Sequence, residues 1–134
     1  MANIANIEGV GPVYAAKLAE AGVTTTDKLL EVAGAKAGRV KLAVDTGVSE
    51  TLVLEWVNRA DLFRIKGIGE EISDLLESAG VDSVPELAAR VPANLHAKLA
   101  EVNEAKQLVR QLPSLSQVEQ FVAEAKTLDR VVTH

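Results

Sequence analysis

IEGVGPVYAAKLAEAGVTTTDKLL, residues 7–30, returns 58 positions later as IKGIGEEISDLLESAGVDSVPELA, residues 65–88. The two align without a gap. Ile7/Ile65, Gly9/Gly67, Gly11/Gly69, Leu18/Leu76, Ala21/Ala79, Gly22/Gly80, Val23/Val81 and Leu29/Leu87 are identical, and Val10 answers to Ile68. An internal repeat of this kind decides the architecture before any single residue does. Each copy has a G-h-G turn, where h is apolar, running directly into a helical pattern. Glycines at 9, 11, 67 and 69 permit positive φ and close backbone approach. The helix that follows, about 13–21 and 70–79, points its first amide N–H groups back at the turn, a ready anion site. It stops at Gly22 or Gly80, which suits the left-handed position just past a helix end. A short second helix then starts at an N-cap. In copy two the sequence offers a full capping box, Ser83 with Glu86; in copy one only the cap, Thr25, is present.

Outside the repeat the pattern stays helical. Gly34 and Gly38 bracket a connector, a helix over about 39–46 is stopped by Gly47, and Ser49 caps a helix over 50–62. Leu52, Val53, Trp56, Val57 and Ala60 recur at i, i+3, i+4 spacing and predict its buried stripe. Pro92 opens a further helix through Leu95 and Leu99, a break is expected near Asn103, and another helix runs to about 112, halted by Pro113. Ser114 with Gln117, or Ser116 with Glu119, caps the last helix, ending near 128. Aligning Ser49 with Ser114 sets Val53 on Val118, Trp56 on Phe121, Val57 on Val122 and Ala60 on Ala125, at an offset of 65. Copy two therefore carries seven extra residues before its last helix. The expected fold is all-α, a pseudo-duplicated tandem of two units of four to five short helices. The expected division is 1–63 and 64–134, packed as one compact domain. Residues 1–6 are expected as a lead-in with Ile4 and Ile7 on the first hairpin, and TLDRVVTH as a frayed tail.

Composition narrows the function classes. The 134 residues are 48% hydrophobic but only 3% aromatic, which suits closely packed helices. With no cysteine, disulfides and Cys-ligated zinc are excluded. The start MANIANIEG has neither a basic region nor a long apolar run, and no stretch is long enough to span a bilayer. A soluble, cytoplasmic protein is expected, without membrane association. Nineteen acidic against fourteen basic residues give a net charge of −5, which counts against nucleic acid in general but leaves room for a local basic patch.

The repeated turn and helix resemble the helix-hairpin-helix motif of DNA polymerases, glycosylases and Holliday-junction-binding proteins, whose hairpin amides hold a DNA phosphate irrespective of sequence. The chain from Ile7 to about Leu128 is closer still to a family of bacterial tandem helix-hairpin-helix proteins catalogued as a domain of unknown function. The segments EWVNRADLFRIKGIGEE and NLHAKLAEVNEAKQLVRQLPSLSQVE carry that likeness. The resemblance implies phosphate binding at Gly9, Val10, Gly11, Gly67 and Gly69. It also implies a monovalent-cation option on the carbonyls of Ala5, Ile7 and Val10, or Phe63, Ile65 and Ile68.

Side chains near the turns divide the two copies. DNA-binding hairpins often carry Lys or Arg just past the second glycine. Copy one has Pro12, Val13 and Tyr14, with Lys17 one turn on; copy two has Glu70 and Glu71, whose carboxylates oppose a phosphate and already suit the helix N-terminus. The other reading of both turns is a compact joint that needs its glycines for backbone approach alone. Lys36, Arg39 and Lys41, and Arg59, Arg64 and Lys66, form two basic clusters. They read either as one patch beside hairpin one or as solvated faces balanced by Asp45, Glu55 and Asp61.

Ala43, Gly47, Val53 and Trp56 match a DNA-reading helix-turn-helix. Its recognition face, Ser49, Glu50, Thr51, Leu54 and Glu55, has no base-reading side chain and favours a packed helix pair. His96 and His134 lack ligand-spaced partners, and no catalytic constellation is evident. No metal, no cofactor, no small-molecule substrate and no enzymatic activity are expected. The leading expectation is a non-sequence-specific nucleic-acid-binding accessory protein, its partner a DNA or RNA backbone. The alternative is a protein–protein interaction or scaffold module that has lost nucleic-acid binding.

Overall fold

The structure is a computed structural model and describes residues 3–7 and 9–133. Among these the chain is all-helical, with eight α-helices and no strand. It divides into two compact units. Unit 1 runs through Phe63 and also takes in the residues from Arg130 onward, while unit 2 is Arg64–Asp129.

Unit 1 begins with a single 3-10 turn, Ile4–Asn6, followed by α1 (Gly11–Glu20), α2 (Thr26–Ala33), α3 (Lys36–Thr46) and α4 (Glu50–Leu62). Asn3 pairs with Thr25 in an isolated antiparallel bridge, and Ile4 N–H donates to Thr24 O at 3.0 Å. Ile4 and Ile7 are thereby buried, as expected of the lead-in. Helix α4 has the expected limits. Ser49 Oγ accepts from Leu52 N–H at 3.2 Å, and Val53, Trp56, Val57 and Ala60 are buried against α2 and α3. The α3–α4 turn closes on Gly47 at φ +72°.

Unit 2 contains α5 (Glu70–Ser78), α6 (Val84–Ala88), α7 (Pro92–Lys106) and α8 (Leu115–Ala125). Helix α8 packs on α6 and α7, burying Val118, Phe121, Val122 and Ala125. Its start is a complete capping box: Gln117 N–H donates to Ser114 Oγ at 3.2 Å, and Ser114 N–H donates to Gln117 Oε1 at 2.8 Å.

Both hairpins close in the same way. Val10 N–H donates to Ile7 O at 3.2 Å, and Ile68 N–H to Ile65 O at 3.1 Å. At the helix ends, Val23 N–H reaches Leu18 O and Val81 N–H reaches Leu76 O, both at 2.8 Å, over Gly22 and Gly80 in left-handed conformation. A Cβ built on Gly9 would meet Trp56 Nε1 at 4.0 Å, and one built on Gly67 would meet Phe121 Cε1 at 3.2 Å. The aligned aromatics thus lie under aligned glycines.

Several expectations need correction. No break occurs at Asn103: α7 continues to Lys106 and ends at Gln107, whose φ is +51°. Asn103 instead ties down the connector 107–114, exchanging hydrogen bonds with Val109 N–H (3.0 Å) and Val109 O (3.2 Å). No helix forms between there and Pro113. The seven extra residues appear as a longer α7 and this connector. The capping box at Ser83 also fails. Ser83 makes no side-chain cap bond, and Glu86 Oε2 accepts from Asp82 N–H at 3.0 Å. Pro85 in the first turn lacks one of the N–H groups a cap would serve. Copy one, with half the signature, has the working cap, Thr25 Oγ1 accepting from Lys28 N–H at 3.1 Å. The segment expected to fray packs on unit 1, with Val132 buried.

The second glycines of the two turns are not equivalent. Gly11 sits at φ +59°, in the left-handed region where only glycine avoids a Cβ penalty. Gly69, followed by Glu70, is an extended N-cap at φ −112°. Gly11→Ser should therefore cost about 1 kcal/mol of stability, while Gly69→Ser should be neutral or gain a few tenths through capping. Paired denaturant titrations check the contrast; equal losses at both positions would contradict it.

Candidate functional site

The candidate site is the turn of hairpin one and the start of α1. Gly9 and Gly11 are exposed, and a Cβ on Gly11 would meet nothing within 4 Å, so the turn opens to solvent. The first amides of α1 have no intrahelical acceptor, although Pro12 removes one of them. Val10 is buried and anchors the turn from below. One turn along α1, Tyr14 packs its ring on Trp56 with centroids 5.2 Å apart and planes at 57°. Lys17 is exposed, its Nζ 5.9 Å from the Tyr14 centroid. A chain of contacts thus runs from Trp56, which lies next to Gly9, through Tyr14 to Lys17. Sequence reasoning missed Tyr14; its i+3 spacing to Lys17 is the signal that was present.

Hairpin two has different surroundings. Gly67 and Gly69 are exposed, as are Glu70 and Glu71. The residues aligned with Tyr14 and Lys17 are Ile72 and Leu75, the latter buried. A groove beside Gly67 is lined by Ile72, Leu112, Pro113 and Phe121, with Gln111 and Gln117 supplying polar groups. The connector 107–114 thus forms one wall next to the turn. Copy one has no counterpart of it.

The basic residues fare unequally. Arg39 is only 4% exposed. Its Nη1 donates to Gly34 O at 2.6 Å and Ala33 O at 3.2 Å, and its Nη2 to Thr133 O at 2.6 Å. This corrects the expectation that it faces a phosphate: the guanidinium is directed at carbonyls of its own unit. Lys41 Nζ lies 2.6 Å from Asp45 Oδ2. Arg64 is half-buried and donates to Asp129 O at 2.8 Å. Lys36 and Lys66 are exposed, the latter with its backbone N–H on Glu124 Oε1 at 2.9 Å. Of the acids expected to balance a solvated face, Asp45 does so, while Asp61 is buried in α4. Arg59, on α4, is half-buried.

On the α3–α4 pair, Ser49, Glu50, Thr51 and Glu55 are exposed and Leu54 is half-buried. Lys36, Arg39, Glu50, Thr51 and Leu54 line a groove there. His96 lies half-buried on α7, and His134 falls outside the described residues. Among the described residues no cluster of three or more His, Cys, Asp or Glu is arranged to hold a metal, and no helix is long and apolar enough to cross a membrane.

Two short-helix units, each opened by a glycine turn against a buried aromatic, define a small all-α protein. The chain belongs to the family described as Domain of unknown function (DUF4332), whose model matches residues 8–128. No curated protein and no solved structure matches it.

Proposed function

We propose that the chain is a non-catalytic tandem of two duplicated helix-hairpin-helix units, and that hairpin one holds a nucleic-acid backbone without reading its bases. One observation carries the reading: the exposed Gly9–Gly11 turn, at φ +87° and +59°, opens onto the α1 N-terminus with Lys17 one turn away. Amides and one cation supply affinity for phosphate and no base discrimination. The shared hairpin hydrogen bonds, and the placement of Trp56 next to Gly9 and of Phe121 next to Gly67, support the duplication. Hairpin two is assigned a structural part, because Glu70 and Glu71 repel phosphate at its mouth.

The test is a salt titration of binding to a labelled random-sequence duplex and to a labelled single strand. Lys17→Ala should make the slope of log K against log salt shallower by about one. Glu70→Lys with Glu71→Lys should steepen it by about two if the second turn then gains phosphate contacts. Circular dichroism confirms folding, since the two acids also complement the α5 N-terminus. If neither change moves the slope, the hairpins do not touch phosphate.

A second reading, an interaction or scaffold module, is favoured by a specific observation. Pro12 and Val13 are exposed at the mouth of hairpin one, Val13 to 68%. With Arg39 buried and Lys41 paired, this turn offers apolar surface as well as charge. Unmoved slopes would leave this reading in place.

A further inference from the structure

Arg39 is a buried cation with no carboxylate to answer it. It is 4% exposed, and its three bonds all go to carbonyls, those of Ala33, Gly34 and Thr133. Carbonyls accept hydrogens but carry no net charge, whereas a buried charge is ordinarily paired with an opposite one. Both Nη atoms are engaged, and Nε–H is left over. Among the described residues no fully buried side-chain nitrogen lacks a partner, so the Nε edge is open to solvent. Arg39 also lines the groove between the starts of α3 and α4, together with Lys36, Glu50, Thr51 and Leu54. Lys36 and Glu50 are exposed, and neither forms an ion pair with another described residue.

The charges select the ligand. A simple anion would suit Lys36 and Arg39 but meet the Glu50 carboxylate; a simple cation would suit Glu50 and meet the other two. The groove holds about 220 Å³, less than the roughly 300–1,000 Å³ of pockets for drug-sized molecules. We propose that it binds a small zwitterion, a free α-amino acid. The carboxylate joins Arg39 Nε–H and Lys36 Nζ, the ammonium joins Glu50, and an apolar side chain lies on half-buried Leu54. Thr51 adds a hydroxyl that serves either end. The bound carboxylate supplies the counter-ion that the buried guanidinium lacks. The site is separate from hairpin one, and its test does not depend on nucleic acid.

The experiment titrates the full chain with L-leucine and follows the Arg39 Nε–H resonance by proton–nitrogen correlation NMR. The resonance should move saturably, with a dissociation constant of about 1 mM. Two isosteres divide the contacts: isocaproate lacks the ammonium and isoamylamine lacks the carboxylate. Each should bind about ten-fold more weakly than leucine. Lys36→Met and Glu50→Gln, both at exposed positions, should each weaken leucine binding about three-fold. Circular dichroism confirms their fold, since Glu50 also complements the α4 N-terminus. An Arg39 resonance that leucine does not shift overturns the proposal, whatever the variants do. Isocaproate binding as well as leucine overturns the zwitterion as ligand, and so does leucine binding unchanged by Glu50→Gln.

Discussion

Replacing Gly38 with alanine should destabilise unit 1 by more than about 2 kcal/mol, even though helix propensity alone forecasts a gain of about 1 kcal/mol. Gly38 lies within α3, where alanine is otherwise the better residue. A Cβ there would sit 1.9 Å from Val32 O, 3.0 Å from Val32 C and 3.4 Å from Ala33 Cα. These are backbone atoms of the last turn of α2, so no side chain can rotate aside. Helices α2 and α3 must separate, loosening Leu29, Leu30, Ala33, Leu42 and Ala43, all buried in this core. The same shift would draw Arg39 from the carbonyls of Ala33 and Gly34. Denaturant unfolding followed through Trp56, the chain's single tryptophan, reads this unit specifically. A midpoint equal to the parent's or higher would show that the α2–α3 joint is not the rigid contact described.

Trp56→Ala should be larger still, about 3–5 kcal/mol, the range for truncating a buried aromatic. The ring is 1% exposed, meets Tyr14 in a tilted pair and lies next to Gly9. Its loss opens a cavity under the hairpin turn and removes the support that orients Lys17. Against a total stability of about 5–15 kcal/mol, this brings unit 1 to the edge of folding. Trp56→Phe keeps a ring at the position and should lose much less. Thermal melts by circular dichroism measure both; a loss under about 1 kcal/mol for the alanine variant would mean that the ring is dispensable.

Signals that act over one helical turn were legible in the sequence. Ser49 and Ser114 cap where predicted, Gly22, Gly47 and Gly80 stop helices in the left-handed region, and the α4 stripe is buried. Signals that depend on a distant partner were not. Arg39 reads as a surface cation until Thr133, far along the chain, supplies a carbonyl for it. Asn103 reads as a helix breaker because its bond to Val109 depends on how the following connector folds back. Ser83 fails as a cap because Pro85 removes a donor and Glu86 turns to Asp82 instead. For the candidate site, the glycines were read from the repeat and Lys17 from its place one turn past the second glycine of copy one. The Tyr14–Trp56 contact was not, since it joins two helices.

The chain passes from unit 1 into unit 2 at Phe63–Arg64 and returns at Asp129–Arg130, so unit 2 is an insertion within its neighbour. During synthesis the residues that complete unit 1, 131–133, emerge after all of unit 2. The usual order, in which the N-terminal unit finishes first, is therefore reversed. Bringing residues 131–133 back across an unstructured loop of that length would carry a chain-closure entropy cost. Unit 2 supplies its own clasp: Arg64 Nη2 holds Asp129 O at 2.8 Å, joining the two ends of the insertion. Once unit 2 has folded, its first and last residues, Arg64 and Asp129, are held together. A folded unit 2 would therefore leave unit 1 a much shorter loop to close.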